Sequence, residues 1–273
     1  REHAADVVIW SETAFVPNLR RWSQEDPERY HLARLVREFL AYQDSIDSWL
    51  LTGNDDYRRV LNEDGEELER LNYNASVLFS ADSERVETYH KVKLVPFTEY
   101  FPYEEELPWV YGMLQEVDIH FWEPGDEFTV FEHPDVTFST PICFEDAFPQ
   151  VVRQFAVAGA EMIVNISNDY WSLTEVAPKQ HFVAGLFRAV ELRRPVVRAT
   201  AAGLTGHIDA TGRILATVPQ YSEEYVIADV QLPEEAPVTV YMRYGDWVPA
   251  VAGVGLIVIV VLQFVPRRRK LGD

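Results

Sequence analysis

A chain of 273 residues with 47% hydrophobic and 13% aromatic content is long and apolar enough to bury a full core, which argues against a disordered chain. Its formal charge of −20 argues against nucleic acid as a partner, because phosphate binding needs clustered Lys and Arg, and it reads as a solvated acidic surface. The single cysteine, Cys143, excludes an intrachain disulfide, so that thiol is either inert packing or chemistry.

No linker, low-complexity tract or internal repeat divides the chain, which implies one large domain and a tail. Val7–Trp10 is a short apolar β-type run ending in the polar pair Ser11 and Glu12. Residues 28–42 carry apolar positions at helical spacing, and Ser48–Thr52 is a second short strand. Asn74–Phe79 and Arg85–Tyr89 flank Ala81–Glu84 as a hairpin, and Lys91 follows directly. Val136–Ile142 is a strand that runs into Cys143, after which Ala147–Ala158 turns helical. Met162–Ile166 is a buried strand, residues 176–193 a helix and Val196–Thr200 a strand, and Asp209–Gly212 is a turn between two more strands. This alternation predicts an α/β layered fold with a largely buried sheet. Glu12, Lys91 and Cys143 each fall within two residues of a predicted strand end, and in open α/β sheets the ligand crevice lies beyond such ends.

The uncharged run Val248–Val265 is just long enough, at about 1.5 Å per residue, to cross a hydrocarbon core. Trp247 at one end and Arg267, Arg268, Arg269 and Lys270 at the other favour a transmembrane helix over a buried core helix. They place the C-terminus in the cytoplasm and residues 1–246 outside it. The chain opens on Arg1 without an initiator Met or a signal-like segment, so it is expected to lie inside a longer protein whose upstream part supplies export.

A cysteine attacks as its thiolate and needs a positive charge, a base or a helix N-terminus to ionise. Cys143 stands at a strand-to-helix junction, PICFED, where the free N–H groups of the next turn are expected to favour the thiolate and to face a developing oxyanion. A carboxylate such as Glu12 could take the thiol proton and return it to a leaving group, while an ammonium stabilises thiolate and oxyanion. Such a set performs acyl transfer through a thioester. Each residue alone has a plainer reading: a buried small apolar group for the cysteine, a surface or capping residue for the glutamate, a solvated lysine. Seven histidines without metal spacing, and the lack of a GxSxG elbow or a phosphate-binding glycine loop, give zinc, serine and nucleotide chemistry little support. No metal and no cofactor is expected.

The motifs WSETA (10–14), YHKVKLVPFTEYFP (89–102), PICFEDAFP (141–149) and NISNDYW (165–171) together resemble the nitrilase (carbon–nitrogen hydrolase) superfamily. LVPFTEYFP, RAVELRRPVVRAT (188–200), GLTGHIDATGR (203–213) and YMRYGDW (241–247) before an apolar helix resemble its apolipoprotein N-acyltransferase branch, over nearly the whole chain. The family pattern Y-x-K-x-x-L selects Lys91 over Lys93, which faces the same way on an extended strand. Ser11 replaces the proline that usually precedes the glutamate, Thr98 replaces a glycine, and Ala201 stands at a usual asparagine.

The resemblance implies an αββα sandwich (1–246, lacking the family's first strand and N-terminal membrane bundle), one transmembrane helix (247–266) and a basic cytoplasmic tail (267–273). It implies a ping-pong reaction in which Cys143 takes an acyl chain from a phospholipid and passes it to the α-amino group of a diacylglyceryl-modified cysteine on an apolipoprotein. Glu12 would be the general base, Lys91 the stabiliser of thiolate and oxyanion, Glu99 and Glu145 supporting carboxylates, and Tyr170 and Trp171 part of the substrate pocket. The implied setting is a bacterial inner membrane with the domain on its outer, periplasmic face. Anchoring there would raise the effective concentration of a lipid donor and a lipidated acceptor. The rival readings are a membrane-anchored amidohydrolase using the same triad, and a tethered binding domain without chemistry.

Overall fold

This computed structural model describes residues 5–62, 64–116, 121–233 and 236–264. Strands β1 (Val7–Ile9), β2 (Trp49–Leu61), β3 (Glu67–Phe79) and β4 (Arg85–His90) form one sheet in that order, with β1 parallel to β2 and the rest antiparallel. The second sheet runs β10 (Ile214–Val218), β9 (Thr205–Ile208), β8 (Val196–Ala201), β7 (Met162–Asn168), β6 (Val136–Ser139), β5 (Phe131–His133). Its centre, β6–β7–β8, is parallel.

Side-chain alternation explains the layering. On β2 and β3, Leu51 and Leu78 join Tyr89, Phe138, Ile163 and Ile166 in the core between the sheets, while Leu50, Val77 and Phe79 face the other way. There they meet Leu19 of α1 (Leu19–Trp22) and Val36 and Phe39 of α2 (His31–Asp44). Helices α4 (Pro149–Ala158) and α5 (Val176–Leu192) bury Val152, Phe155, Phe182, Ala189 and Leu192 against the second sheet. The result is the α/β layered fold that the sequence pattern implied, in the sandwich form that the resemblance implied. Helix α3 (Pro108–Glu116) lies between the sheets in chain order, and α6 (Val240–Tyr244) leads into α7.

Several elements depart from their expected bounds. Strand β2 continues nine residues beyond Thr52, because its polar residues Asp55 to Arg59 pair across to Asn74 to Arg70 in a long ribbon that an apolar-run criterion does not detect. Strand β6 stops at Ser139 rather than Ile142. Pro141 has no N–H to give a ladder, and Ile142 rejoins the sheet through a single bridge to Ile166. The helix expected from Ala147 is a 3₁₀ turn, Cys143–Ala147, followed by α4 with Pro149 in its first turn, where the missing N–H costs nothing.

Helix α7 (Trp247–Phe264) is exposed along its whole length, and among the described residues it is the one helix long and apolar enough to cross a membrane. Val265 and the basic stretch 267–270 lie outside the described residues.

Candidate active site

The carboxylate of Glu12 stands three residues past β1, in a loop drawn tightly onto β2. Gly53 makes that approach possible, since a Cβ there would lie 2.6 Å from the Glu12 Cα. Glu12 Oε1 accepts from Asn74 Nδ2 at 2.8 Å and Oε2 from the Asn168 backbone N–H at 2.9 Å. The pairing of His90 with Ala75 sets Lys91 directly after β4 and beside Asn74, whose carbonyl accepts the Lys91 N–H at 2.9 Å. Lys91 is almost wholly buried, and its Nζ lies 2.7 Å from Glu99 Oε1. Asn74 Nδ2 also donates to Glu99 Oε1 at 3.1 Å, so one amide bridges both carboxylates, and Val95 N–H closes on Glu99 Oε2 at 2.8 Å.

Cys143 is buried and adopts φ 51°, a left-handed backbone that a non-glycine residue holds only when its surroundings impose it. Two side chains impose it here. Asn165 on β7 donates to the carbonyls of Pro141 at 3.0 Å and Cys143 at 3.2 Å. Glu145, fully buried, accepts from the Ile142 N–H at 2.8 Å through Oε2, and from the N–H groups of Val92 at 3.0 Å and Lys93 at 2.9 Å through Oε1. Tyr89 adds its hydroxyl at 2.8 Å. Glu145 therefore clamps the turn bearing the sulfur to the segment bearing the lysine. Behind it, Asp146 is ion-paired with the buried Arg198.

Glu12, Glu99 and Cys143 open on one cavity of about 360 Å³, with Thr13, Val95, Thr98, Phe144, Asn168, Trp171 and His181 in its walls. Of the pair Tyr170 and Trp171, both largely exposed, Trp171 lines this cavity and Tyr170 does not. Lys93 turns away, its Nζ 5.3 Å from the Phe148 ring centroid.

The electrostatics divide the proton among these groups. Burial pushes the Cys143 thiol up to about 12, reinforced by the Glu12 charge and only partly countered by Lys91. The expected help from the helix N-terminus is therefore overridden: a turn of five residues offers little dipole, and desolvation of the thiolate wins. Burial also raises Glu12 above its ordinary value, against the pull of Lys91 and Asn74. Burial alone would lower Lys91, but the Cys143 sulfur when ionised and the carboxylates of Glu12 and Glu99 raise it, so it stays an ammonium. A neutral thiol beside a carboxylate of raised basicity and a fixed cation is a set in which sulfur loses its proton as it attacks. Among the described residues no cluster of His, Cys, Asp or Glu is built to hold a metal ion.

Residues 1–238 match the family model for carbon–nitrogen hydrolases. The chain belongs to the carbon–nitrogen hydrolase family. It is 39% identical over 278 residues to "Apolipoprotein N-acyltransferase 1" of Treponema denticola, covering 96% of this chain and 51% of that protein. It is 41% identical over 231 residues to "Apolipoprotein N-acyltransferase 1" of Treponema pallidum, covering 83% of this chain and 42% of that protein. The chain thus spans about half the length of the curated relatives it matches. A carbon–nitrogen hydrolase from Helicobacter pylori shares the fold, with a TM-score of 0.56 at 16% identity over 80% of this chain and 75% of that one.

Asn74 and His181 escaped the sequence reading, and Ser167, Asn168 and Asp169 entered it only as part of the NISNDYW motif, without a role. An isolated Asn carries no signal of a bridge between carboxylates 62 and 25 residues away. Asp169 and His181 are separated by 12 residues and a change of element, which no helical or strand spacing relates.

Proposed function

We propose that this carbon–nitrogen hydrolase chain is the catalytic part of an apolipoprotein N-acyltransferase working through a Cys143 thioester. What carries the reading is the convergence of Glu12, Glu99 and Cys143 on one cavity, with the buried Lys91 paired to Glu99, in a chain whose relatives of that name align with 96% and 83% of it.

In the first half-reaction Glu12 takes the thiol proton as sulfur attacks the ester carbonyl of a phospholipid. The Lys91 ammonium and the first-turn amides after Cys143 stabilise the oxyanion. The C–O bond then breaks, and Glu12 returns its proton to the leaving alkoxide. In the second half-reaction the α-amino group of a diacylglyceryl cysteine attacks the thioester, the C–S bond breaks, and the sulfur regains a proton through Glu12. Glu99 supports the reading by holding Lys91 in place, and Glu145 by fixing the nucleophile turn. Trp171 shapes the wall met by the acyl chain, and Tyr170, outside the cavity, is assigned the surface that meets the lipid. The fully exposed apolar helix α7 supports anchoring in a bilayer, with residues 1–246 on the outer face of a bacterial inner membrane and the basic tail in the cytoplasm.

The test is incubation of the chain in phospholipid vesicles with a synthetic diacylglyceryl peptide, followed by mass spectrometry of both. An acyl adduct on Cys143 and an N-acylated peptide are the expected products. Release of free fatty acid or turnover of simple amides, with no N-acylated peptide, would replace the transferase by an amidohydrolase.

A further inference from the structure

Proton counting in the transfer half-reaction leaves one proton without a carrier. An α-amino group has an ordinary pKa of about 7.7–8.0, so near neutral pH it reaches the cavity mostly as an ammonium. Converting an ammonium and a thioester into an amide and a thiol forms one C–N bond, breaks the C–S bond and releases two protons from nitrogen. One returns to sulfur by way of Glu12; the other must leave the site. In the first half-reaction only the thiol proton moves, and Glu12 is sufficient. An ammonium acceptor therefore calls for a second base.

The cavity wall holds one that the Glu-Lys-Cys set does not use. His181 on α5 lines the cavity beside Phe144, ring centroids 5.9 Å apart, and its Nδ1 lies 3.1 Å from Asp169 Oδ1. Burial alone would raise the Asp169 carboxyl, but the His181 contact and the Arg198 charge hold it below its ordinary value. A carboxylate only accepts hydrogen bonds, so Nδ1 carries a ring hydrogen, and in the neutral imidazole the lone pair is then the one on Nε2.

The carboxylate is itself held in place. Oδ1 also accepts from Ser167 Oγ at 2.9 Å, the Asp169 N–H donates to the Ala201 carbonyl at 2.9 Å, and Oδ2 lies 4.0 Å from Arg198 Nη2. A side chain at Gly203 would collide with that carboxylate. The titratable and charged groups around the ring are Asp169, Asp146 and Arg198 from the second sheet and the nucleophile turn, with Glu12, Glu99 and the Cys143 thiol on the same cavity. Among the cavity-lining side chains, His181 is the one nitrogen base.

We propose that His181, oriented by Asp169, is the second base of the transfer half-reaction, taking at Nε2 the first proton of an ammonium acceptor so that the free amine attacks the Cys143 thioester. This rests on the thioester reading above.

The experiment compares parent and His181→Gln chains in phospholipid vesicles, each first charged on Cys143. Single-turnover transfer is then followed to a diacylglyceryl peptide with a free α-amine and, separately, to hydroxylamine, a nucleophile that is unprotonated near neutral pH. The peptide-to-hydroxylamine rate ratio should fall about 5–10-fold in His181→Gln at pH 7, the factor by which ammonium outnumbers free amine at an ordinary pKa of about 7.7–8.0, and recover as bulk water deprotonates the amine toward about pH 9. Asp169→Asn should shift the ratio in the same direction by a smaller factor, because the ring loses its orienting carboxylate. An unchanged ratio, or one that fails to recover with pH, overturns the role of His181. Absence of any acyl adduct in the parent overturns the thioester reading itself, a separate result.

Discussion

The four-stranded sheet delivers its ionic side chains already locked to one another, Lys91 on Glu99 and Asn74 bridging Glu99 to Glu12, whereas the six-stranded sheet delivers a sulfur on a turn whose backbone is held from outside. The first arrangement stores electrostatics: a buried cation is kept charged by carboxylates that are present before any substrate arrives. The second stores conformation, with Cys143 at positive φ inside a turn clamped by Asn165 and Glu145. A few hydrogen bonds join the two halves, among them Asn168 N–H to Glu12 and Val92 and Lys93 N–H to Glu145. Charge and thiol are thus prepared separately, and closure of the sandwich brings them together.

Substitutions on either side test that division. Cys143→Ala should lower acyl transfer by more than about 10⁴-fold while leaving the ionic cluster intact, read as loss of the adduct mass with an unchanged far-ultraviolet spectrum. Persistence of an acyl adduct in that variant would end the comparison, because the sulfur would not be the nucleophile. Glu12→Gln keeps an acceptor for Asn168 but cannot take a proton, and acylation should slow by about 10²–10⁴-fold with little change in the unfolding midpoint.

Glu145→Ala crosses the divide. It leaves the N–H groups of Ile142, Val92 and Lys93 without their acceptor and should cost about 3–5 kcal/mol in urea unfolding. A cost under about 1 kcal/mol would show that water replaces the clamp. The smallest effect lies far from the sulfur, at Asp56 on β2. Burial alone would raise its carboxyl, but His90 and Arg85, each at 2.9 Å, hold it down to about 2 from an ordinary 3.8. Its stabilisation of about 2 kcal/mol is complete above the ordinary value and disappears as pH falls through about 2. Asp56→Asn should remove it at neutral pH and flatten the acid limb of the stability curve.

The catalytic candidates were legible because each is a reactive residue following a strand-like run, and the motifs around them resemble those of the carbon–nitrogen hydrolases. Glu99 and Glu145 were legible only through those motifs. The length of β2 was not, since Asp55, Asp56, Arg58 and Arg59 are held in a strand by the β3 ladder rather than by an apolar pattern. The thiol was misjudged for a related reason: the junction promised help from a helix dipole, but the turn is short and burial dominates.

By itself the sequence determined the layered α/β class and the apolar C-terminal helix and supplied Glu12, Lys91 and Cys143 as candidates, because periodicity, an uncharged run and residue chemistry are local properties of the chain. Tertiary structure alone decided that Asn74 spans Glu12 and Glu99, that Glu145 reaches both Lys93 and Ile142, and that His181, held by Asp169, lines one cavity with Cys143. Those are relations between residues up to 62 positions apart, fixed by strand register and by how the two sheets close on each other. Protonation follows the same division, since a pKa depends on what surrounds a group, and burial is a property of the folded chain.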